Sequence, residues 1–565
     1  RLLKVKSNHK VTNSSISEKW FVGVTQRSKK HLLNSLSNLR RGAPTTPSFK
    51  LYGKSDWSVV TDFLESVSSL PSVPQWLIQY ELSRKEKYGP QGGHAPWDEL
   101  KENAEMYFTR PMTPEFVPIQ SLRNAEKYRQ LNIQMLSAPD ALNILKSDGR
   151  IQTRAAGWRA FDLKKTDPLA QRMALQDIRS GDWRNGYGYF FSRFNKKKKR
   201  LFIAMPFSSM IRQAQYFNPF LKAIQNDLRL KGCKSDFTFW SDKLGFDFCF
   251  HDIMEKQLAK EVGNNIQSLV YVMRDFDKMD TSTGVEQKSI SFIPKLNAAL
   301  HFAPNSKNAE LLKEAILFSN KCPIATPDGM WQGDHGEGSG ATVTNGGETG
   351  CNEDFNSLFN DELQLLCAEA HIKYKHVCSF GNGDDGMSCY VLYDNTQFDL
   401  FATLIRKAAQ YAAHVLKFII QADKWDIHLS TYGKYCQYLV TWTGETLHAY
   451  YPAALILNSI CNPEKQYLKS NWDKDYRDLD IIMKLSNGRE LPYFHELIDY
   501  VDNGMKFRLL GTSDKDASRI LSKYERYQKL QGGSQEYNWY DKPEARGIME
   551  NPVVKYLISK RNLQI

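Results

Sequence analysis

The sequence predicts an α+β fold in which helical stretches surround a small antiparallel sheet, and three features point to it. An unbroken apolar run from Leu269 to Met273 reads as a buried strand and leads straight into Asp275, Asp277 and Asp280. The segment HVCSFGNGDDGMSCYVLYD, starting at His376, has β-forming residues on both sides of a Gly/Asn/Asp turn, a strong hairpin signal. Helical patterns fill most of the remainder, both before and after these strands.

In chain order, residues 1–50 mix basic residues (Lys4, Lys6, Lys10, Lys29, Lys30, Arg40, Arg41) with a loop-like GAPTTPS stretch, the pattern of a basic N-terminal arm. Residues 51–150 read as helical, interrupted by a Pro- and Gly-rich loop from Gly89 to Pro96. Between Ile151 and Leu230 basic and aromatic residues interleave, and the cations Lys196, Lys197, Lys198, Lys199 and Arg200 precede a strand-like run from Leu201 to Met205. Thr281, Ser282 and Thr283 offer caps for a helix reaching Phe302. A glycine-rich segment from Gly333 to Gly350 follows, then a helix from Phe355 to Lys373. After the hairpin come a helix from Phe398 to Gln421, then Lys424, then a strand from Tyr435 to Trp442. The rest is mainly helical, with a break at Gly532 to Ser534, and no repeat of solenoid period is present.

Length and charge narrow the function. A chain of 565 residues buries a large core, which argues against a single small binding module. The net charge of +12 and a pI near 9.0 favour polyanionic partners, although many basic proteins bind no nucleic acid. No apolar run approaches the roughly 20 residues that span a bilayer, and the basic N-terminus leads into polar sequence, so a soluble, non-secreted chain without membrane insertion is expected. The 9 cysteines lie between Cys233 and Cys461 without a CxxC pair, which argues against a disulfide framework or zinc finger and for a reducing compartment. HExxH and GxxxxGK[ST] motifs are absent.

The aspartates carry the chemistry. A turn rich in Asn, Asp and Gly has conformational reasons to exist by itself. The expectation changes if the strand ending at Asp275 lies beside the hairpin, because clustered carboxylates repel one another and are stable mainly around a divalent cation. Mg²⁺ takes hard oxygen ligands, commonly one or two carboxylates plus phosphate oxygens, which suits two-metal nucleotidyl transfer. Asp275 and Asp384 are the expected bridging ligands, with Asp385 auxiliary; Mg²⁺ and Mn²⁺ both suit such a site.

The order DFDKMD (Asp275 to Asp280), SGATVTN (Ser339 to Asn345) and GDD (Gly383 to Asp385) resembles the three palm motifs of viral RNA-directed RNA polymerases, most like those of the picobirnavirus kind, double-stranded RNA viruses. The resemblance is sharp from about Lys196 to Asp394 and only topological outside it. It implies a right-hand architecture closed by the fingers and the N-terminal extension: arm 1–50, fingers 51–264 with a basic nucleotide-binding motif near 193–206, palm 265–442 with room for a fingers insertion between 300 and 335, and thumb with C-terminal extension 443–565. It also implies two metal ions, with Phe276 among their contacts, and a ribose site formed by Asp280 with Ser339, Thr344 or Asn345. Lys199 and Arg200 would touch the incoming triphosphate, although a lysine run is also the pattern of a solvated face. Lys424 stands where the family keeps a general acid for leaving pyrophosphate, and a plain surface lysine is the competing reading. Glu348 departs from the family's usual Asn, and Gly346 and Gly347 weaken the expected helix start.

Implied partners are template and nascent RNA, nucleoside triphosphates and a viral capsid protein, in the virion interior and host cytoplasm, with initiation that needs no primer. The aromatic stretch Thr441 to Tyr451 could be a stacking platform for that initiation or a hairpin of the thumb core. A reverse transcriptase would share the palm, but that family usually has a bulky aromatic residue where Asp280 stands. A non-catalytic RNA-binding virion protein with a degenerate polymerase fold is the other alternative, against which the intact carboxylates argue.

Overall fold

In a computed structural model, residues 11–147, 151, 154–230, 251–464, 474–531 and 547–565 are described. The arm residues Lys4, Lys6 and Lys10, the cysteines Cys233 and Cys249 and the break at Gly532 to Ser534 lie outside them. The fold is α+β, with many helices around three sheets.

The sheet that matters most has the antiparallel order β7 (Tyr374–Asn382), β8 (Asp385–Leu392), β4 (Leu269–Arg274), β9 (Ile427–Leu429). Every position of β4 is buried, which explains its lack of polar alternation. Val270 and Val272 pack into one core, against helices Thr344–Glu369 and Phe398–Leu416, while Leu269, Tyr271 and Met273 enter another.

A second sheet has the order β1 (Thr12–Ser14), β6 (Gly329–Gln332), β5 (Ile324–Thr326), β2 (Gly188–Asn195), β3 (Lys198–Ala204). Its pairs are antiparallel except β2 with β5. The N-terminal arm thus contributes a strand, and it also carries a helix, Gln26–Arg41, capped by the Thr25 hydroxyl. A third sheet is the meander β10 (Gly433–Tyr435), β11 (Tyr438–Trp442), β12 (Leu447–Tyr450). The stretch from Thr441 to Tyr451 accordingly forms a hairpin of this meander.

Four sequence expectations shift. The strand expected from Leu201 is present but starts earlier, at Lys198, and the basic run builds a hairpin, because Lys196 and Lys197 adopt left-handed conformations (φ 51° and 59°). Cys436 and Gln437 (φ 50° and 71°) split the expected strand from Tyr435 to Trp442 in the same way. The helix expected to reach Phe302 is three short ones, Met279–Ser282, Val285–Ser291 and Ile293–Leu300, the last started by Pro294, which has no N–H to leave unpaired. Finally, the helix expected from Phe355 starts at Thr344 despite its glycines. A Cβ on Gly346 would lie 2.5 Å from the Phe217 ring, and one on Gly350 2.6 Å from the Ser291 carbonyl oxygen. Close packing of this helix on its neighbours outweighs the helix-breaking cost of glycine, about 1 kcal/mol per residue.

Early and late segments of the chain share one apolar core, formed by residues between Leu51 and Tyr88 and residues beyond Leu439. Glu81, wholly buried, fastens them by accepting the N–H of Ala453 (2.8 Å) and Ala454 (3.1 Å) and the Tyr493 hydroxyl (2.7 Å). The cysteines among the described residues are buried and unbridged. No helix of the described residues is long and apolar enough to cross a membrane.

Candidate active site

Register decides where the acids fall. Arg274 pairs with Gly386 across β4 and β8, and Asn382 pairs with Asp385 across the tip of β7 and β8. Asp275, next after Arg274, therefore emerges beside the turn that carries Gly383, Asp384 and Asp385. Gly383 takes a left-handed conformation (φ 61°), the conformation a tight hairpin demands there. Gly386 is needed for room: a Cβ on it would sit 2.5 Å from the Arg274 guanidinium, which is buried against the sheet and donates to the Phe380 carbonyl (2.5 Å).

Asp275 and Asp384 both reach solvent, and Asp385 is half-buried. Burial is nonetheless the largest influence on both exposed carboxyls: it holds Asp275 above the usual range and, with the charges of Asp385, Asp280 and Asp275, pushes Asp384 up to about 7. Glu348 is buried beside them and raised well above the usual range by burial and then by Asp384 and Asp280. Its carboxyl and the Asn345 side chain stand over the turn, 3.4 Å and 2.7 Å from where a Gly383 Cβ would be.

One helix face holds the turn. Thr349 accepts the Gly383 N–H (2.8 Å), and the Asn352 amide donates to the carbonyls of Gly383 (3.1 Å) and Asp385 (2.8 Å). Asn345, Glu348, Thr349 and Asn352 are spaced as one face of the helix Thr344–Glu369. That spacing was present in the sequence, but the glycines hid the helix that gives it meaning.

The segment after β4 is gripped by the helix Trp97–Thr109 and the residue that follows it. Asn103 accepts from the Lys278 ammonium (2.8 Å), and Arg110 donates to the carbonyl (3.0 Å) and carboxylate (3.2 Å) of Asp277. The Tyr107 hydroxyl donates to Asp280, whose other oxygen accepts the Thr281 N–H at 3.0 Å. Asp277 is thereby engaged by Arg110. Nothing local in the sequence pointed to Tyr107, Arg110, Asn103 or Arg274.

The remaining predicted residues divide. Phe276 sends its ring into the core against Phe355, 4.9 Å between centroids, so only its backbone carbonyl could contact a metal. Gly340 closes onto β3, its N–H donating to the Ile203 carbonyl (3.1 Å), and the neighbouring Ser339 hydroxyl is buried without a hydrogen bond. The Thr344 hydroxyl donates within its own loop, to the carbonyls of Gly338 (2.5 Å) and Ala341 (3.1 Å). Lys199 and Arg200 are exposed on β3, and Lys199 pairs with Glu99 at 2.9 Å. Lys424 is exposed beside Trp425, whose indole N–H donates to the Asp275 carbonyl (3.0 Å), yet the cations that act on the Asp275 carboxyl are Lys434, Lys198 and Lys87. Burial, reinforced by Lys434, Arg84, Lys198 and Lys196, lowers Lys87 to about 7. Cations from three separate segments therefore converge beside the acids, and two of them, Lys87 and Lys434, had no signal in the sequence.

Among the described residues no three His, Cys, Asp or Glu side chains form a group that could by itself hold a metal ion. The donor set is nonetheless chemically suited to hard divalent cations: carboxylate oxygens, mutually repelling, on rigid strand ends, with Asp384 raised by its acidic neighbours. Such ions complete their coordination with water and phosphate oxygens.

This fold is that of a viral RNA-dependent RNA polymerase. The crystal structure of the RNA-dependent RNA polymerase of a human picobirnavirus matches it with a TM-score of 0.72 at 17% identity, over 97% of this chain and 100% of that one. The insertion-loop deletion mutant of the same kind of polymerase matches with a TM-score of 0.69 at 16% identity, again over 97% and 100%. No protein-family profile and no curated protein sequence matches.

Proposed function

We propose that this protein is an RNA-directed RNA polymerase, transcribing and replicating the genome of an RNA virus with a double-stranded genome. The observation that carries the reading is the strand register that sets Asp275 beside Asp384 and Asp385 at one rim of the antiparallel sheet. In right-hand terms, residues 265–442 are the palm, 51–264 the fingers and 443–565 the thumb, with the N-terminal segment closing the hand.

Asp275 and Asp384 would hold two Mg²⁺ or Mn²⁺ ions, assisted by Asp385 and the Phe276 carbonyl. Bound there, the ions would supply activation of the attacking 3′ hydroxyl and neutralisation of charge on the triphosphate. The protein's own part is positioning. Thr349 and Asn352 fix the turn that carries Asp384 and Asp385, and the clamp from Asn103, Tyr107 and Arg110 fixes the segment between Asp275 and Asp280. Asp280, with Ser339 or Asn345, reads the ribose. Lys198, Lys87 and Lys434 attract the triphosphate and RNA phosphates toward the acids, with Arg200 at the edge of the same surface. Lys424 would protonate the leaving pyrophosphate, and Lys434, whose charge acts on Asp275, is a second candidate for the same role.

Initiation without a primer, a capsid partner and action within the virion interior and host cytoplasm extend the reading. Incorporation of labelled nucleotide on a defined single-stranded RNA, with and without primer and chelator, tests it. Cation-dependent synthesis from ribonucleotides is expected; preference for deoxyribonucleotides would favour a reverse transcriptase. RNA binding without synthesis under any of these conditions would leave only a binding protein.

A further inference from the structure

We infer that Tyr107, far outside the acidic segments, is a positioning residue for sugar selection: its hydroxyl sets the Asp280 carboxylate in the orientation that reads the ribose 2′ hydroxyl. The inference rests on the polymerase reading and on Asp280 facing the sugar, and it adds to that reading the group that makes Asp280 selective.

The geometry is specific. Tyr107 is 2% exposed on the helix Trp97–Thr109, packed against Phe190 and its neighbours, and its hydroxyl donates to one Asp280 oxygen while the Thr281 N–H holds the other. Each carboxylate oxygen has two acceptor directions, so a carboxylate pinned at both oxygens still keeps one direction on each for a ligand hydroxyl. The backbone around the pair is equally fixed. Gly336 donates its N–H to the Tyr107 carbonyl (2.7 Å) and Glu337 donates to the Asp280 carbonyl (2.8 Å), while a Cβ on Gly336 would meet that Asp280 oxygen at 2.5 Å.

The acids Glu348 and Asp384 lie close enough for Asp280 to raise the pKa of both, and no lysine or arginine forms an ion pair with Asp280 among the described residues. Burial holds Asp280 above the usual carboxyl range, and the Tyr107 hydroxyl is the largest influence drawing it back, ahead of the Thr281 N–H and the charge of Lys278. Its own environment, buried and beside two acids, keeps the phenol protonated. The Ser339 hydroxyl lies close to the phenol as well, so hydroxyl-recognising groups gather at this one point.

A site that hydrogen-bonds a hydroxyl discriminates by leaving its own polar groups unpaired with the wrong substrate. Disordering one such group costs affinity for the ribonucleotide and nothing for the deoxyribonucleotide, which never made the bond. The test measures kcat and KM for one ribonucleoside triphosphate and its 2′-deoxy analogue on a defined single-stranded RNA, with the full chain, wild type and Tyr107→Phe. For Tyr107→Phe the ribonucleotide kcat/KM falls about tenfold, mostly through KM, the deoxy value stays within about twofold, and discrimination narrows about tenfold. Lys101→Ala, which removes an exposed ion pair between the same helix and Asp328, leaves discrimination unchanged. In an Asp280→Asn background, Tyr107→Phe adds no further narrowing, because the phenol acts through that carboxylate.

Equal losses for both sugars, narrowing by Lys101→Ala, or further narrowing in the Asp280→Asn background would each overturn the assignment of Tyr107 while leaving the polymerase reading intact. A wild-type chain that incorporates neither nucleotide would overturn the polymerase reading and this inference with it.

Discussion

Two sets of acids lie within one helix length of each other and are treated in opposite ways. Glu337 and Asp354 are completely buried, and each has a buried lysine: Lys288 at 2.5 Å and Lys295 at 2.8 Å. Lys295 adds hydrogen bonds to the carbonyls of Ser291 and Gly350, so its pair is part of the packing of three helices. Glu348 and Asp384 lie nearby with further acids as the main charges acting on them. Among the described residues no lysine or arginine forms an ion pair with Glu348 or Asp384, the arrangement that the proposed divalent cations require. The difference separates acids paired within the packing from acids whose nearest charges are other acids.

The largest effect expected from that contrast is on turnover. Asp384→Ala should lower nucleotide incorporation by about 10³-fold or more, as loss of a principal electrostatic group does, while the melting temperature stays level or rises because repulsion is relieved. A variant of near wild-type activity would erase the distinction between the two sets. For the paired set the reverse holds: Lys295→Met should leave Asp354 buried without a partner and destabilise the fold by about 3–5 kcal/mol. Urea unfolding reads this directly, and a change below about 1 kcal/mol would show that the pair does not carry the structure.

Acidity sharpens the contrast further. Unfolded, Asp384 gives up its proton near pH 4, as an ordinary aspartate does; folded and free of cations it holds the proton to about 7. The unfolded state therefore loses its proton first, and this residue's contribution to stability is full below about pH 4 and falls as pH rises through about 7. Binding of Mg²⁺ requires the deprotonated carboxylate, so stabilisation by Mg²⁺ should be larger near pH 8 than near pH 6, reaching about 2.7 kcal/mol at a hundredfold excess over Kd. Thermal melts with Mg²⁺ or chelator check this; equal shifts at both pH values would count against Asp384 as a ligand.

How much of this was visible in the sequence follows from the range of the interactions. β4 and the β7–β8 hairpin were legible, since an apolar run and a Gly/Asn/Asp turn are local signals, and Asp275, Asp384 and Asp385 came with them. The helix start at Thr344 was misread because glycine propensity is local, whereas the contacts with Phe217 and Ser291 that demand Gly346 and Gly350 are tertiary. Gly346→Ala should therefore destabilise by about 1–3 kcal/mol through overpacking, although alanine is the better helix former. A stabilised variant in the same melting assay would contradict that account. Tyr107 was invisible for a plain reason: its partner Asp280 is 173 residues away. The basic run was seen but misplaced, as a left-handed turn made of two lysines has no composition signal. The smallest effect belongs to that hairpin, where Arg200→Ala should raise the KM for nucleotide by a few-fold, about 1 kcal/mol or less, with kcat retained, the pattern of lost ground-state binding at an exposed charge. An unchanged KM would assign Arg200 to solvent.

The carboxylate of Glu81 bears on when, during its manufacture, such a molecule comes alive. Its acceptors are filled by Ala453, Ala454 and Tyr493, more than 370 residues downstream. A ribosome releases those partners long after the early helices have emerged, so the first to appear wait for their late counterparts. Nascent chains that lack the residues from Leu439 onward cannot shut this core, and its last Glu81 bond forms only once Tyr493 has left the exit tunnel.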